Sequence, residues 1–356
     1  SPGPMLFHDF MELALYHPDF GYYEQDRKVV GREGDFYTSV SVGPLFGQLL
    51  AAQIAEWITE DGTNGESSII ECGAHDGRLA ADILDHLKLH RRPEYERIRY
   101  ILIEPSEKRR GWQAKTLKDH ESHVTWHRDW EAIPTESING VILSNELLDA
   151  LPVHRIGWDA KDRCWFSWAV SWNGNDFVWT QIRGLSPEIL ASKAGKFLTA
   201  IPAALQEILP DGFTTEVGAA AEKWWHQAAS RLKTGRLMTL DYGLEEHQFL
   251  EPGRANGTLR SYSHHRVGGD LLQNPGSCDI TAHINFSTLQ RIGEQSGLTT
   301  RCYLTQAQFL AGAATRINAR PGLFPEWTSA RVRQFQTLTH PEHLGRSFRV
   351  LVQQRD

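Results

Sequence analysis

Two acid-bearing segments carry the chemistry that this chain of 356 residues can do. The first is Glu71-Cys72-Gly73-Ala74-His75-Asp76-Gly77-Arg78. An apolar run ends in an acid, turns at glycine and leads into a helical pattern. Glycine lets the backbone pass close to a ligand, and the helix N-terminus beyond it offers unpaired N–H groups suited to a carboxylate. Roughly 30 residues later Glu104 ends the next apolar run, followed by Pro105 and Ser106; an acid at that place can accept both hydroxyls of a ribose. A dinucleotide turn would read G-x-G-x-x-G, but His75 stands at the middle place. The pairing therefore predicts an adenosyl ligand whose other end is an amino acid, without a pyrophosphate.

The second segment is Ser144-Asn145-Glu146-Leu147-Leu148-Asp149-Ala150-Leu151-Pro152. It places an amide and two acids at the end of a fourth apolar run, where ligands of open α/β sheets bind. Asn145 can orient a nitrogen nucleophile through its amide oxygen, and Glu146 can hold a cation. A guanidinium stays charged at any physiological pH and pairs bidentately with carboxylates, so the pattern suits an arginine acceptor. Asn145 also reads as a helix N-cap before a solvated turn.

These segments need a scaffold that brings strand ends together. Apolar runs at 67–73, 100–104, 124–127 and 140–145 alternate with helical patterns at 79–89 and 107–117, which predicts an α/β fold with a mostly parallel, seven-stranded sheet and right-handed crossovers. Residues 1–60 read as an N-terminal helical appendage with a Gly-Asp-Phe-Tyr-Thr-Ser loop, and 61–152 as the ligand-binding half. Residues 153–215 read as a β-rich insertion with a hairpin at Asn173-Gly174-Asn175. The segment 216–356 completes the sheet, with a second insertion at 244–285.

The formal net charge of −7 argues against a sequence-independent grip on nucleic acid, which requires a basic surface. Four dispersed cysteines suggest neither a disulfide framework nor a zinc site, and no metal is expected. No run is long and apolar enough to span a membrane. A soluble protein with reduced thiols is expected, while the Ser1-Pro2-Gly3-Pro4 start leaves processing or truncation open. His86 and His90 share a helix face expected to meet water. His154, Arg260, His264, His265, Asp279 and His283 are weaker candidates for the acceptor side, as is Asp241-Tyr242-Gly243.

Several longer motifs resemble one family, the MidA-like class I S-adenosylmethionine-dependent methyltransferases, which include a mitochondrial complex I assembly factor that methylates an arginine. They are Phe10-Met11-Glu12-Leu13-Ala14-Leu15-Tyr16-His17-Pro18 with Gly21-Tyr22-Tyr23, Gly34-Asp35-Phe36-Tyr37-Thr38-Ser39, the Asn145 to Pro152 segment, Asp241-Tyr242-Gly243, Gly257 to Tyr262 and Pro275 to His283. The resemblance spans nearly the whole chain and implies a Rossmann-like class I methyltransferase fold. It implies S-adenosyl-L-methionine as cofactor and S-adenosyl-L-homocysteine as product. Gly34, Thr38, Ser39, Glu71, Gly73, Ala74, His75, Gly77, Arg78, Glu104, Pro105, Ser106, Asp129 and Trp130 would face the cofactor, and Asn145, Glu146, Asp149 and Asp35 the acceptor.

The family usually reads E-x-G-x-G-x-G after the first strand, and His75, followed by Asp76, is this chain's main departure from it. What the resemblance implies is arginine methylation of a protein partner such as a complex I subunit. Methylation of a small-molecule hydroxyl or amine, or a non-catalytic assembly role, stays open, as does a homodimer. The compartment would be the cytoplasm in a bacterium or the mitochondrial matrix in a eukaryote.

Overall fold

The computed structural model describes residues 3–25, 38–61, 65–263, 266–268, 270–320, 322–342 and 344–356. Its centre is a twisted sheet of seven strands on one path: β1 (Ser67–Cys72), β2 (Ile98–Ile103), β3 (Val124–His127), β4 (Ile138–Asn145), β5 (Leu232–Leu244), β6 (Thr299–Thr305) and β7 (Phe348–Arg355). The spatial order is β6-β7-β5-β4-β1-β2-β3, and β7 alone runs antiparallel to both of its neighbours. An eighth, two-residue strand, Ile284–Asn285, pairs with the end of β5.

Period-two alternation explains why the central strands β1, β2, β4 and β5 read as apolar runs: they bury both of their faces, whereas the edge strands β3 and β6 stay partly exposed. Ile69, Tyr100, Leu102, Val141, Leu143, Met238 and Leu240 enter one core. Ile70, Ile101, Ile103, Ile142 and Leu237 enter the other. The first core is covered by α2 (Leu45–Glu60) and α3 (Arg78–His90), joined by α7 (Gln306–Asn318) and α8 (Ser329–Thr339). The second is covered by α5 (Ala219–Arg231) and α6 (Phe286–Gln295).

The register matters for function. Cys72 pairs with Ile103 on one side and with Ser144 on the other, and Asn145 pairs with Leu240. The strand ends that carry Gly73, Glu104, Glu146 and Asp241 therefore meet at one edge of the sheet.

Two smaller sheets lie beyond that edge. The strands His154–Asp159, Cys164–Trp172, Phe177–Arg183 and Thr214–Val217 form an antiparallel sheet that also takes in Met5–Leu6 from the N-terminus. Its hairpin closes with Trp172 opposite Phe177. The strands Arg260–Ser263, Arg266–Val267 and Asp279–Thr281 form the other. The N-terminal helix α1 (Phe7–Tyr16) packs its buried face, Phe7, Phe10, Met11, Ala14 and Leu15, against both.

Three short helices between residues 187 and 208, and the pair α7 and α8, were not legible as apolar periodicity. His86 departs from expectation: it is only 2% exposed, packed against Phe324 from the segment after α7. A covering element brought from far along the chain buries a face that looked polar. Burial and the neighbouring His90, Arg91 and Arg331 pull its pKa down to about 3.

Candidate cofactor and acceptor site

A cavity of about 440 Å³ opens at the shared strand edge, within the size range of small-molecule sites. At its floor the turn after β1 uses left-handed backbone at Gly73 (φ +75°), His75 (φ +46°) and Gly77 (φ +84°). The conformation is thus the one a glycine-rich turn adopts, and His75 occupies a glycine-like place in it. His is among the residues that tolerate this region better than branched ones. A side chain at Gly73 would meet Leu147 Cδ1 at 2.8 Å, so the turn packs directly against the segment after β4.

The flanking acids are held by their neighbours. Tyr100 Oη donates to Glu71 Oε2 at 2.5 Å. Burial raises the Glu71 carboxyl to about 7, against the lowering effect of that bond. Glu104, 1% exposed, accepts from the Ser106 amide at 3.0 Å and from Gln113 Nε2 at 3.1 Å, and pairs with Arg109 Nε at 3.1 Å. Burial pushes its carboxyl up while Arg109, Ser106 and Gln113 oppose the shift. Arg109 and Ser106 also reach Glu24, which ties the N-terminal appendage to the start of α4 (Glu107–Thr116).

Four carboxylates also converge at this edge. Glu146 sits in left-handed backbone (φ +50°), and its Oε1 accepts from the Ser39 amide at 3.2 Å and from Asn145 Nδ2 at 3.1 Å. Burial and nearby Asp241 raise its pKa to about 8. Asp241, fully buried at the end of β5, accepts from the amides of Leu147 (3.2 Å), Leu148 (2.9 Å) and Tyr242 (2.8 Å). Asp149, buried beside it, is held well above the usual carboxylate range by burial and by Asp241, Asp279 and Glu146. Burial also raises Asp241, to about 7, against the amides of Leu147, Leu148, Asp149 and Tyr242, which oppose the shift. Asp279 comes from the second insertion, and that segment is fixed to the site by the Ala282 amide donating to the Asp149 carbonyl at 2.9 Å.

Of the residues singled out in the sequence, Thr38, Glu71, Gly73, Ala74, His75, Glu104, Pro105, Asp129, Trp130, Asn145, Glu146 and Asp149 line the cavity. Others stand behind it. Gly77 is the N-cap of α3, and Arg78 opens that helix with its side chain in solvent. Ser106 caps α4, and the buried Ser39 hydroxyl donates to Gln306 at 3.0 Å. Gly34 and Asp35, with Phe36 and Tyr37 of the same loop, lie outside the described residues, as do His264 and His265.

Asp241 is fixed just behind the cavity wall, while Tyr242 and Asp279 line it. His154, Arg260 and His283 do not. His154 is held by Glu188 at 3.1 Å and stacks on His8 at 4.6 Å. His8, His154 and Glu188 are close enough to share an ion, but parallel rings hold the imidazole lone pairs in parallel planes.

Sequence reasoning missed Tyr16, Tyr23, Arg109, Trp224 and Tyr262 on the cavity wall, and Gln113 behind it. Tyr16 and Tyr23 stood inside quoted motifs, which was the available signal.

The strand order, the single antiparallel strand and the glycine turn at the edge define a class I methyltransferase architecture that uses S-adenosylmethionine. The chain belongs to the Methyltransf_28 family of S-adenosyl-L-methionine-dependent methyltransferases, whose model matches residues 49–304. It is similar to the mitochondrial protein arginine methyltransferase NDUFAF7 homolog of Drosophila melanogaster, at 26% identity over 99% of this chain and 82% of that protein. The human mitochondrial protein arginine methyltransferase NDUFAF7 is also 26% identical, over 98% of this chain and 79% of its own length. Among solved structures, a COG1565 superfamily member from Burkholderia thailandensis, bound to S-adenosyl-homocysteine, superposes with a TM-score of 0.83. It is 29% identical over 99% of this chain and 88% of that one. No helix among the described residues is long and apolar enough to cross a membrane.

Proposed function

We propose that this methyltransferase modifies arginine on a protein substrate. One observation carries the reading: Glu146, partly buried, and the buried Asp149, Asp241 and Asp279 converge at the sheet edge where the cavity opens. Among the described residues no lysine or arginine pairs with Glu146, Asp149 or Asp241. A cationic guest would relieve the burial and mutual repulsion that raise Glu146, Asp149 and Asp241. The curated relatives' protein-arginine specificity points the same way.

S-adenosylmethionine supplies the electrophilic methyl group when bound. The chain's own residues bind, orient and keep the site dry. The fit rests on the left-handed turn at Gly73 and His75, which brings backbone to the cavity wall, and on the carboxylate of Glu104, which suits a ribose. The amides of the turn suit the amino-acid carboxylate.

At the acceptor end, Asn145 and the Ser39 amide hold Glu146 so that its carboxylate can pair with a guanidinium. That pair draws the guanidinium's positive charge onto the nitrogens it holds, which leaves more electron density on the nitrogen that attacks. Glu146, with its pKa near neutrality, can then hold the proton the nitrogen gives up. The N-terminal appendage, which lines the cavity through Tyr16 and Tyr23, is the surface we assign to the protein partner, with the β-rich sheet it packs against. The compartment follows the host: mitochondrial matrix in a eukaryote, cytoplasm in a bacterium.

Incubation with methyl-labelled S-adenosylmethionine and matched arginine and lysine peptides tests the assignment. Label that requires arginine supports it, and label that follows lysine or a hydroxyl side chain contradicts it.

A further inference from the structure

Two tyrosines of the N-terminal appendage reach the acceptor end from outside the methyltransferase sheet. Tyr16, the last residue of α1, and Tyr23, seven residues on, both line the cavity and stack with ring centroids 5.5 Å apart. Each hydroxyl proton is already committed. Tyr16 Oη donates to the Ala150 carbonyl at 2.9 Å, in the turn that carries Asp149. Tyr23 Oη donates to Asp279, with both carboxylate oxygens at 2.9 Å. Burial, together with nearby Asp279 and Asp149, pushes both phenols above their ordinary range, so neither ionises. Arg109, the cation that acts on Tyr16 among the described residues, is engaged by Glu104 and Glu24.

A phenol that has donated its only proton offers a partner just its oxygen lone pairs and its ring face. Both favour a group rich in N–H donors and positive charge. Asn145 Oδ1, buried and without a hydrogen-bond partner among the described residues, adds a third acceptor at the same end.

We infer that Tyr16 and Tyr23 are positioning residues for the acceptor, their proton-committed hydroxyls accepting hydrogen bonds from the N–H edge of its guanidinium. The inference rests on the arginine reading and deepens it: the appendage completes the acceptor subsite, and Asp279 acts through Tyr23 by fixing its proton. A primary hydroxyl could satisfy one such oxygen, whereas a guanidinium with five donors can satisfy both phenols and Glu146 together.

Calorimetry on the full chain loaded with S-adenosylhomocysteine tests this, with N-acetyl-arginine methylamide and its neutral citrulline analogue as probes. The wild type should prefer the arginine probe. Tyr23→Phe and Tyr16→Phe keep the rings and remove only the oxygens. Each should weaken arginine binding about tenfold and leave citrulline binding and S-adenosylhomocysteine affinity unchanged, while the melting temperature falls by several degrees because the Asp279 carboxylate or the Ala150 carbonyl loses its donor. A purely structural tyrosine would weaken arginine, citrulline and S-adenosylhomocysteine binding alike, and that result overturns the proposal. Unchanged arginine affinity in both variants also overturns it and leaves the arginine reading standing. A wild type that does not distinguish arginine from citrulline defeats the arginine reading itself. The two hydroxyls have separate partners, so Tyr16→Phe decides the matter if Tyr23→Phe does not fold.

Discussion

Gln113 Nε2 donates to Glu104 Oε2 at 3.1 Å, and the same nitrogen reaches the His75 carbonyl at 3.0 Å. One buried amide thus ties the acid after β2 to the turn after β1, and its oxygen is held in turn by Trp126 Nε1 at 3.0 Å. The two halves of the cofactor site are fixed relative to each other by a residue that does not line the cavity.

Gln113→Leu removes this tie without opening a large void. It leaves the His75 carbonyl and the Trp126 N–H unsatisfied, each costing about 1–3 kcal/mol when buried. S-adenosylhomocysteine affinity should fall about tenfold and the melting temperature by several degrees, read by calorimetry and thermal unfolding.

Gly73→Val places a branched side chain at φ +75°, with its Cβ 2.8 Å from Leu147 Cδ1. Left-handed backbone costs an L-residue roughly 1–2 kcal/mol before any clash. The variant should fold and show no calorimetric binding of S-adenosylhomocysteine. Wild-type affinity in the variant would place the cofactor elsewhere.

Glu146→Gln keeps the size of the group and removes its charge. Because Glu146 lies at the acceptor end, cofactor binding should stay within about twofold, while turnover on an arginine substrate falls ~100-fold or more. Equal loss of both would count against an acceptor role.

The same residue sets a pH dependence. Its pKa is about 8 in the folded protein against an ordinary 4.5, so the folded state binds more protons than the unfolded one between those values. Stability from this group is present at low pH and is lost as pH rises through about 8. Buried His86 and His283, held low at about 3 and 4, have finished their opposite contribution by pH 6.5. Between pH 6.5 and 8.5 the melting temperature of wild type should therefore drop relative to Glu146→Gln, by about 2–4 °C. On an arginine substrate kcat/KM should rise over the same interval, as Glu146 ionises. Parallel melting curves for the two proteins would show that Glu146 does not carry the effect.

Much of the cofactor half was legible because it is local. Glu71, Gly73 and Gly77 lie in one strand–turn–helix unit, and Glu104 follows at the end of the adjacent strand, so spacing alone placed them together. Glu146 and Asn145 were found for the same reason. Tyr16, Tyr23 and Asp279 were harder: Tyr23 and Asp279 stand 256 positions apart and meet only because the appendage and the second insertion fold over the same edge. His86 misled for a related reason, since the Phe324 segment that buries it is contributed from the far end of the chain. His75 looked like a defect in the glycine turn, yet its backbone takes the left-handed conformation the turn demands.

The central claim, methyl transfer to protein arginine, is tested most directly by mixing the purified protein with methyl-labelled S-adenosylmethionine and a cell extract freed of small molecules, then hydrolysing the protein fraction to amino acids. Arginine methylation predicts label in methylarginine, absent when Glu146→Gln replaces the wild type. Label confined to lysine, histidine or a hydroxyl side chain, or no label from an enzyme that binds S-adenosylhomocysteine, would contradict it.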